Sequence, residues 1–539
     1  MRMGSARGRF SVLMVLIVLV AAEYLPAQAW SYGEYDEEAA AYQLVRNKEE
    51  AASLPRGTTH IKVVSELADY TFLTAHESLT HLWLSAFDSA ALHAVADTTT
   101  LNSLHLEQVN AAQLTKAPVL KGVQDLHVSG HDPQGDYVTL AIKFPSLQTL
   151  TLRARGPLQA ASITALRKLS DLRTFRLDRL GDGSSDLSGT LDDEVEACAS
   201  LAALRTFAYG CLTGAVPTLS SLRKLAALIH LRSLALRFDE PFDTKCLETL
   251  TVELAELRVS GQHTREDVDT FVQSASRFEA LQVLEFSGEE LGDEALERLS
   301  TRLTFIREVA FYGKWPTNAS QCLQRLSKLR DISFFAGRAD CGLTAEVLET
   351  ISGRLESVRI DGRELSSHWV AALSSAKQLT RLIVRGMSFA RGDDSLVTSV
   401  FARLRWLTLH LCTGLRSKGY ALLQSLQRVN FLQLWHMDET FSGEYAETIA
   451  ALPQLACLSI DCRATDEGAV AALGKSKLLT SLSVSYDTTI IPETVFLQLR
   501  TTKSLRIVEI APPNAWPTAT AKALKEALPD VIVRIQHID

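Results

Sequence analysis

A short apolar pattern, Leu-x-x-Leu-x-Leu with conservative replacements, recurs along most of this 539-residue chain. About 18 copies follow one another at a mean spacing of about 25 residues. Chance does not maintain such a register over a span of about 400 residues, so this repeat constrains the fold more than any other feature. The copies begin at Leu79, Leu101, Val123, Leu147, Leu172, Leu204, Leu231, Leu254, Leu281, Ile306, Leu329, Leu355, Leu379, Leu404, Val429, Leu455, Leu479 and Leu505.

One copy of the repeat predicts one strand and one helix. The last two apolar positions are separated by a single residue, which is the period of a strand with one buried face. Segments between copies, such as 295–299 and 469–473, carry apolar residues three and four apart, as short amphipathic helices do. Neither element can bury its apolar face alone. Stacked copies therefore predict an α/β solenoid, a horseshoe with a parallel sheet on its concave face and short helices on its convex face.

Residues 404–412, LRWLTLHLC, give the best single match to a known repeat, with Cys412 at a position that otherwise holds Asn or Cys. The chain resembles the leucine-rich-repeat superfamily over residues 58–539, and its spacing is similar to that of the cysteine-containing and ribonuclease-inhibitor-like branches. Segments 187–191 and 212–217 look like plant-type repeats. Several copies lack the Asn or Cys, so the repeats are degenerate.

The first 29 residues have the three parts of a signal peptide. Arg2, Arg7 and Arg9 are followed by the apolar run FSVLMVLIVLVAA at 10–22 and by the small-x-small tripeptide 27–29. We expect cleavage after residue 29 and export to the medium, the cell surface, the periplasm or the secretory lumen. The alternative is an uncleaved membrane anchor, but the run is shorter than the about 20 residues that span a bilayer. We therefore expect no stable membrane insertion after cleavage.

The ends of the solenoid should be closed by caps, because an exposed terminal repeat leaves its core open. Residues 30–57 are predicted to form a lead-in with a capping helix at Glu37–Ala52. Residues 58–539 form the solenoid, which ends in a helix at 519–528 and a strand at 531–535. The widest gap between copies, about 32 residues, contains Gly181–Ser185. We interpret it as a loop insertion rather than a domain boundary.

The charge and the motifs exclude several classes of function. Removing residues 1–29 takes away three Arg and one Glu, which leaves 52 of the 55 basic and 62 of the 63 acidic residues. Such an acidic chain is a poor partner for nucleic acid, whose binding needs phosphate neutralisation, and for an anionic membrane. No nucleotide, zinc-protease or nucleophile-elbow motif is present in the sequence. We therefore predict no cofactor, no metal and no enzymatic activity.

Eight cysteines are scattered along the sequence without a CxxC pair. Export makes disulfides chemically feasible, but a chain of this length does not need them to form a core. We predict mostly buried free thiols, with Cys457 and Cys462 as the one pair that is close in sequence.

The residues between and beside the buried apolar positions should project from the concave face. Large aromatic side chains are usually interior, so aromatics at these outward positions need a reason. Exposed aromatics beside Arg are the usual composition of binding hot spots. We predict a partner-binding site that consists of Trp406, Phe431 and Trp435, flanked by Arg381, Arg385 and His410.

A weaker candidate site lies near the N-terminal end and consists of His81, Trp83, His105 and His127. His105 and His127 hold the same position in neighbouring strands, so about 5 Å could separate them. A metal site is conceivable there, but two solvated histidines are the favoured interpretation. Asn318, in the sequon NAS, is a candidate for glycosylation in a eukaryotic host.

Three functions are compatible with these features. The favoured one is an exported, non-enzymatic protein that binds a protein partner, or less favourably a glycan, on the concave face. The second is a structural or envelope solenoid that stiffens or spaces a surface. The third is an enzyme whose composite site is spread over several repeats. Fold alone does not separate them, because function resides in the site.

Overall fold

The structure is a computed structural model. It describes residues 42–45, 47–64, 66–109, 114–130, 143–154, 158, 160–179, 188–211, 215–261, 263–335, 345–361, 367–386, 394–412, 422–465, 467–486, 496–511, 523–524, 526–528 and 531–535. The predicted signal peptide, its cleavage site and the predicted loop Gly181–Ser185 lie outside these residues. Among the described helices, none combines the length and the apolar character that crossing a bilayer requires.

The chain divides into two compact units. The N-terminal unit comprises residues 1–217 with 235–239, and the C-terminal unit comprises 218–234 with 240–539. The residues of strand β9, Ser233–Phe238, are divided between the two. The prediction of a single continuous solenoid without a second independent domain stays a prediction, which limited proteolysis tests.

In the described part of the N-terminal unit, eight strands form one parallel ladder, each paired with the next along the chain. The strands are β1 Gln43–Val45, β2 His60–Val63, β3 His81–Leu84, β4 Ser103–Val109, β5 Asp125–Gly130, β6 Thr149–Ala154, β7 Thr174–Arg179 and β8 Thr206–Cys211. The helices are α1 Lys48–Ser53, α2 Ser89–Ala94, α3 Ala160–Leu166 and α4 Ser188–Ala199, with a 3-10 helix at Thr71–Ala75.

The C-terminal unit repeats the same arrangement, and its strands from β10 to β21 are paired in sequence order and all in parallel. The strands are β10 Glu256–Ser260, β11 Val283–Glu290, β12 Glu308–Lys314, β13 Asp331–Phe335, β14 Ser357–Asp361, β15 Arg381–Arg385, β16 Trp406–His410, β17 Phe431–Phe441, β18 Cys457–Thr465, β19 Ser481–Tyr486, β20 Ile507–Ala511 and β21 Ile532–Ile535.

Short helices connect these strands. They are α5 Leu219–Arg223, α6 Arg265–Ala275, α7 Asp293–Arg302, α8 Ala319–Arg325, α9 Ala345–Ile351, α10 Ser367–Ser374, α11 Asp394–Phe401, α12 Gly443–Ala450 and α13 Glu467–Leu473. Further 3-10 helices lie at Lys224–Ala227, Thr244–Thr249, Ser352–Arg354 and Leu497–Thr501. The helices expected at 295–299 and 469–473 are thereby confirmed, within α7 and α13.

The core of both units is the apolar repeat itself. Every member of every Leu-x-x-Leu-x-Leu copy is buried, and the last two positions of successive copies fall in successive strands from β3 to β20. The prediction of an α/β leucine-rich-repeat solenoid with a parallel sheet and short helices is therefore confirmed. Assignment to the cysteine-containing or ribonuclease-inhibitor-like branch remains a prediction.

The backbone before each strand fixes the register between repeats. Two successive N–H groups donate to a single carbonyl of the preceding repeat: Arg405 and Trp406 both donate to Thr380 O, at 2.7 and 3.0 Å. The same forked arrangement recurs from Thr80 and His81, which both donate to Thr59 O at 2.9 Å, onwards along each unit. We call it the backbone fork. It is formed by backbone atoms alone.

The N-terminal capping segment differs from the prediction. The helix expected over Glu37–Ala52 is wrong at Gln43–Val45, which forms strand β1 and pairs with β2. The helix begins at Lys48, because the Asn47 side chain accepts a hydrogen bond from Glu50 N and caps it. At the other end of the chain, the predicted last strand is present as β21.

A fully buried ion pair anchors helix α4 to the N-terminal unit. Arg179 and Glu194 are 1% and 0% exposed, and the Arg179 guanidinium donates to both carboxylate oxygens, with Nε to Oε2 at 3.0 Å. Tyr209 OH donates to Oε2 at 2.8 Å, and Leu158 N donates to Oε1 at 3.0 Å. Both carboxylate oxygens thus have partners that offset the loss of water on burial. Nothing in the repeat pattern predicted this group.

Neighbouring repeats approach each other closely at the strand ends in part of the C-terminal unit. A Cβ at Gly313 would lie 2.2 Å from Gly288 O, and one at Gly288 would lie 2.2 Å from Val268 Cγ2. The Ser287 hydroxyl donates to Gly261 O at 2.8 Å and accepts from Gly261 N at 2.9 Å. Glycine is required where neighbouring repeats approach this closely.

The cysteines agree in part with the prediction of buried thiols. Cys198, Cys246 and Cys322 are buried and free. Cys412 is also buried, and its Sγ lies 3.5 Å from His410 O and 3.7 Å from Val384 O, as expected for the Asn or Cys position. The side chain of Cys462 lies outside the described residues, so its relation to Cys457 stays a prediction.

Candidate partner-binding surface

Strands β15, β16 and β17 bring the six residues of the favoured site together. Arg381, Trp406 and Phe431 are register partners in one row, and Arg385, His410 and Trp435 are register partners in a second row. The residues that alternate with them, such as Leu407 and Leu409, are buried in the core. Because strand side chains alternate, all six project from the opposite, open face of the sheet. We call them the aromatic–arginine surface.

The first row is a continuous stack of flat groups. The rings of Trp406 and Phe431 lie 3.7 Å apart between centroids, with 16° between their planes. The Arg381 guanidinium carbon lies 4.7 Å from the Trp406 centroid, which is cation–π geometry. Arg381 is exposed, and both aromatic rings are half-buried. The row therefore presents partly exposed aromatic rings and a charged guanidinium on the open face of the sheet.

The second row places an arginine, a histidine and an indole on three successive strands. His410 and Trp435 meet edge to face, with centroids 6.0 Å apart. Burial lowers the pKa of Arg385, and the nearby Arg359 adds to this effect while Asp361 opposes it. Arg385 remains a cation at any physiological pH, because an arginine pKa is far above it. The second row thus adds positive charge next to the apolar surface.

Hydrogen bonds hold both indoles in place. Trp406 Nε1 donates to Thr408 Oγ1 at 3.1 Å, and that hydroxyl donates to Gln433 Oε1 at 3.2 Å. Trp435 Nε1 donates to Ser459 Oγ at 3.2 Å. An indole whose N–H is already satisfied loses little conformational freedom on binding, so the surface is organised before a partner arrives.

An acidic region that the sequence analysis did not single out lies on the same open face of the C-terminal unit. Arg258 Nη1 lies 2.9 Å from Glu285 Oε2 and 3.5 Å from Glu308 Oε1, so one guanidinium serves two carboxylates. Burial raises the pKa of Glu308, and the nearby Asp331, Glu285 and Arg258 modify it further. Glu308 and Asp331 could have been found from sequence, because they hold the same strand position as Trp406 and Phe431.

Asp331 and the pair Arg359–Asp361 separate the acidic region from the aromatic–arginine surface. Burial is the main cause that raises the pKa of Asp331; Glu356 adds to it, and Ser357 and Arg381 oppose it. Arg359 Nε donates to Asp361 Oδ2 at 3.2 Å, so this pair is internally neutral. Charge on the open face therefore changes sign from β12–β13 to β15.

The weaker N-terminal candidate is a packed stack of rings rather than an open surface. Trp83 lies 4.0 Å from His105, and His105 lies 4.0 Å from His127, measured between ring centroids. Trp83 and His105 are only 8% and 9% exposed. Tyr42 packs edge-on against Trp83 at 5.7 Å. The predicted neighbours are brought together, but their ring faces are largely buried against one another.

The remaining histidine of that candidate, His81, stacks on His60 at 4.0 Å with 8° between the planes. Burial lowers the pKa of His81, of His105 and of His127, the last to about 3. For His105 the nearby His127 adds to the effect, and for His127 the nearby Arg153 does. Among the described residues, no group of three His, Cys, Asp or Glu side chains is arranged to hold a metal ion.

The sequon asparagine, Asn318, precedes helix α8 and is half-buried. Its Nδ2 donates to Asp293 O at 3.1 Å, and its backbone N donates to Asp293 Oδ1 at 3.3 Å. Glycosylation would have to take place at the nitrogen that makes the first of these bonds. Its use as an acceptor stays a prediction.

Comparison with known proteins adds little to this description. No protein-family model matches the chain, and no curated protein sequence does. Among solved structures, the chain is similar to the LRR protein LIC12759 of Leptospira interrogans, with 13% identity, a TM-score of 0.35 and coverage of 79% of this chain and 99% of that one. It is also similar to TLR13 in a complex with ssRNA13, with 14% identity, a TM-score of 0.36 and coverage of 91% and 72%. At these TM-scores neither likeness bears on the partner.

Proposed function

We propose that this chain is an exported, non-enzymatic binding protein that recognises a protein partner through the aromatic–arginine surface. The observation that carries the proposal is the stack of Arg381, Trp406 and Phe431 on the open face of a parallel sheet. Such a surface has the composition of a binding hot spot, and it sits on strands rather than on loops. Export rests on the signal-peptide pattern of residues 1–29.

The energetic argument comes from what binding would remove from water. Trp406, Phe431 and Trp435 remain half-buried, so each keeps apolar surface that a partner can cover. Large aromatic side chains dominate interface energetics because they bury much area and lose few rotamers. Their satisfied indole N–H groups reduce the ordering cost still further. A protein that only stiffened or spaced a surface would not need exposed aromatics here.

Affinity capture with the mature chain as bait tests this proposal. The partner recovered from the native extract is titrated against the wild type and the double variant W406A/W435A, with folding checked by circular dichroism. We expect the double variant to lose at least about 2 kcal/mol, which is about thirtyfold in Kd.

The matched control is Phe305→Ala. Phe305 is an exposed aromatic residue, 58% accessible, that precedes strand β12 and does not belong to the open strand face. Its substitution should leave the affinity unchanged. Equal affinities for the wild type and a folded W406A/W435A variant would remove the aromatic–arginine surface from consideration. A captured glycan in place of a protein would also contradict the proposal.

A further inference from the structure

One row of strand positions runs from the acidic region to the aromatic–arginine surface. Glu308, Asp331, Ser357, Arg381, Trp406 and Phe431 are successive register partners in the six neighbouring strands β12 to β17. We call them the charge–aromatic row. Along it the open face reads negative, negative, neutral, positive, aromatic, aromatic.

The negative end of the row has an excess of carboxylates. Glu308 shares the guanidinium of Arg258 with Glu285, and its side chain is 22% exposed. Asp331 lies beside it in register and is half-buried. Burial and mutual repulsion already raise the pKa of Glu308. A cation from a partner would relieve that repulsion and would be held in a partly desolvated place, where ion pairs are stronger than on an open surface.

The positive end has the opposite preference. Arg381 is exposed, and its guanidinium carbon lies 4.7 Å from the Trp406 centroid. An exposed guanidinium has N–H donors with which it can bind a carboxylate. Arg385 lies nearby on the same strand and on the same face. A partner that was negative throughout would be repelled by Glu308 and Asp331, and one that was positive throughout would be repelled here.

We propose that the partner presents an extended peptide segment that crosses the strands, and this inference rests on the proposed function. The segment carries a basic residue at position i, an acidic residue at i+4 and an apolar residue at i+6. The basic residue faces Glu308 and Asp331, the acidic residue faces Arg381, and the apolar residue covers the Trp406–Phe431 stack. The segment can run in either chain direction.

The spacing follows from the geometry of the sheet. Neighbouring strands lie about 4.8 Å apart, so about 12 Å separates Arg381 from the midpoint of Glu308 and Asp331, and about 7 Å separates it from the middle of the aromatic stack. An extended peptide advances about 3.3 Å per residue, which converts these distances to about four and two residues. Both intervals are even, so the three side chains point to the same side of the peptide.

The experiment is a selection from a display library of random 12-residue peptides on the full mature chain. With the wild type we expect enriched sequences that carry basic–x3–acidic–x–apolar or its reverse. The charge-reversed variant E308K/D331K should enrich acidic residues at the first position and keep the other two. An enriched peptide should bind at least tenfold more weakly to that variant than to the wild type.

Two further variants keep the test decisive. E308Q/D331N removes the negative charge without adding bulk or a cation beside Arg258, and it should abolish the preference at the first position only. E349K reverses an exposed charge on helix α9, outside the row, and should change nothing.

A library that yields no sequences, or sequences that ignore all these charge changes, overturns the inference. The proposed function is judged separately, by the response of the captured partner to W406A/W435A. If W406A/W435A weakens binding of the captured partner but the selected peptides show no charge preference, the proposed function is kept and the proposed peptide pattern is rejected.

Discussion

Replacing Glu194 by Gln should destabilise the N-terminal unit strongly, although the change is nearly isosteric. Tyr209 OH and Leu158 N donate to different oxygens of the carboxylate, at 2.8 and 3.0 Å. Glutamine has a single carbonyl oxygen, so it can accept from only one of them and places an NH2 donor at the other. It cannot neutralise Arg179, whose side chain is fully buried. Breaking a buried ion pair from one side costs about 3–5 kcal/mol. A typical folded domain has only about 5–15 kcal/mol of stability.

The assay is urea unfolding followed by far-UV circular dichroism, together with hydrogen exchange of helix α4. We expect a loss of about 3–5 kcal/mol for E194Q and faster exchange in residues 188–199. The matched control is D193N, which removes an exposed carboxylate from the same helix and should cost less than about 0.5 kcal/mol.

A second substitution, Arg179→Met, should change stability in opposite directions in the wild type and in E194Q. In the wild type, Arg179→Met should destabilise the unit, because it leaves a buried carboxylate without its cation. In the E194Q background the same change should restore part of the stability, because it removes the orphaned charge. A stability of E194Q within about 1 kcal/mol of wild type, or an Arg179→Met effect of equal sign in both backgrounds, would refute the reasoning.

Three further outcomes are expected. Gly313→Ala should lower the free energy of unfolding in urea by at least about 2 kcal/mol, because its Cβ would lie 2.2 Å from a backbone oxygen. Gly353→Ala is the control: its Cβ would have no neighbour within 4 Å, and its stability should stay within about 1 kcal/mol of wild type. His105 and His127 have lowered pKa values in the folded chain, so their contribution to stability should be complete above the unfolded pKa of about 6.5 and should fall as the pH drops towards about 3. The free energy of unfolding should therefore be at least about 2 kcal/mol lower at pH 4.5 than at pH 7, and this difference should be smaller in the variant H105Q/H127Q. Mass spectrometry of the secreted chain should find Trp30 at its N-terminus, and a native chain that retains the first 29 residues would contradict export with cleavage.

The repeat made the open face of the sheet predictable. Once the apolar triplets fix which residues are buried, alternation fixes which ones project, and the adjacency of Trp406 and Phe431 follows from their common place in the repeat. The same logic would have found Glu308 and Asp331, whose significance appears only when the rows are compared across strands.

Features that depend on contacts outside the repeat could not be predicted. Arg179 and Glu194 both lie within the widest interval between copies, on either side of Gly181–Ser185, and no periodicity relates them. The sequence does not predict strand β1, because its three residues are too few to show alternation. Pairing with β2 decides their conformation. The burial of Trp83 and His105 likewise comes from stacking between repeats and from Tyr42.

The backbone fork has a consequence for how such a chain can change over evolutionary time. Within each unit, one carbonyl of a repeat receives two N–H groups of the next repeat at successive strands from β3 to β8 and from β10 to β20. The spacing between these repeats is therefore set by backbone atoms. Side chains on the open face can therefore be exchanged almost independently, one repeat at a time, without moving their neighbours. The sheet therefore offers fixed backbone positions for the residues that contact a partner, and selection for a new partner can change these residues one at a time.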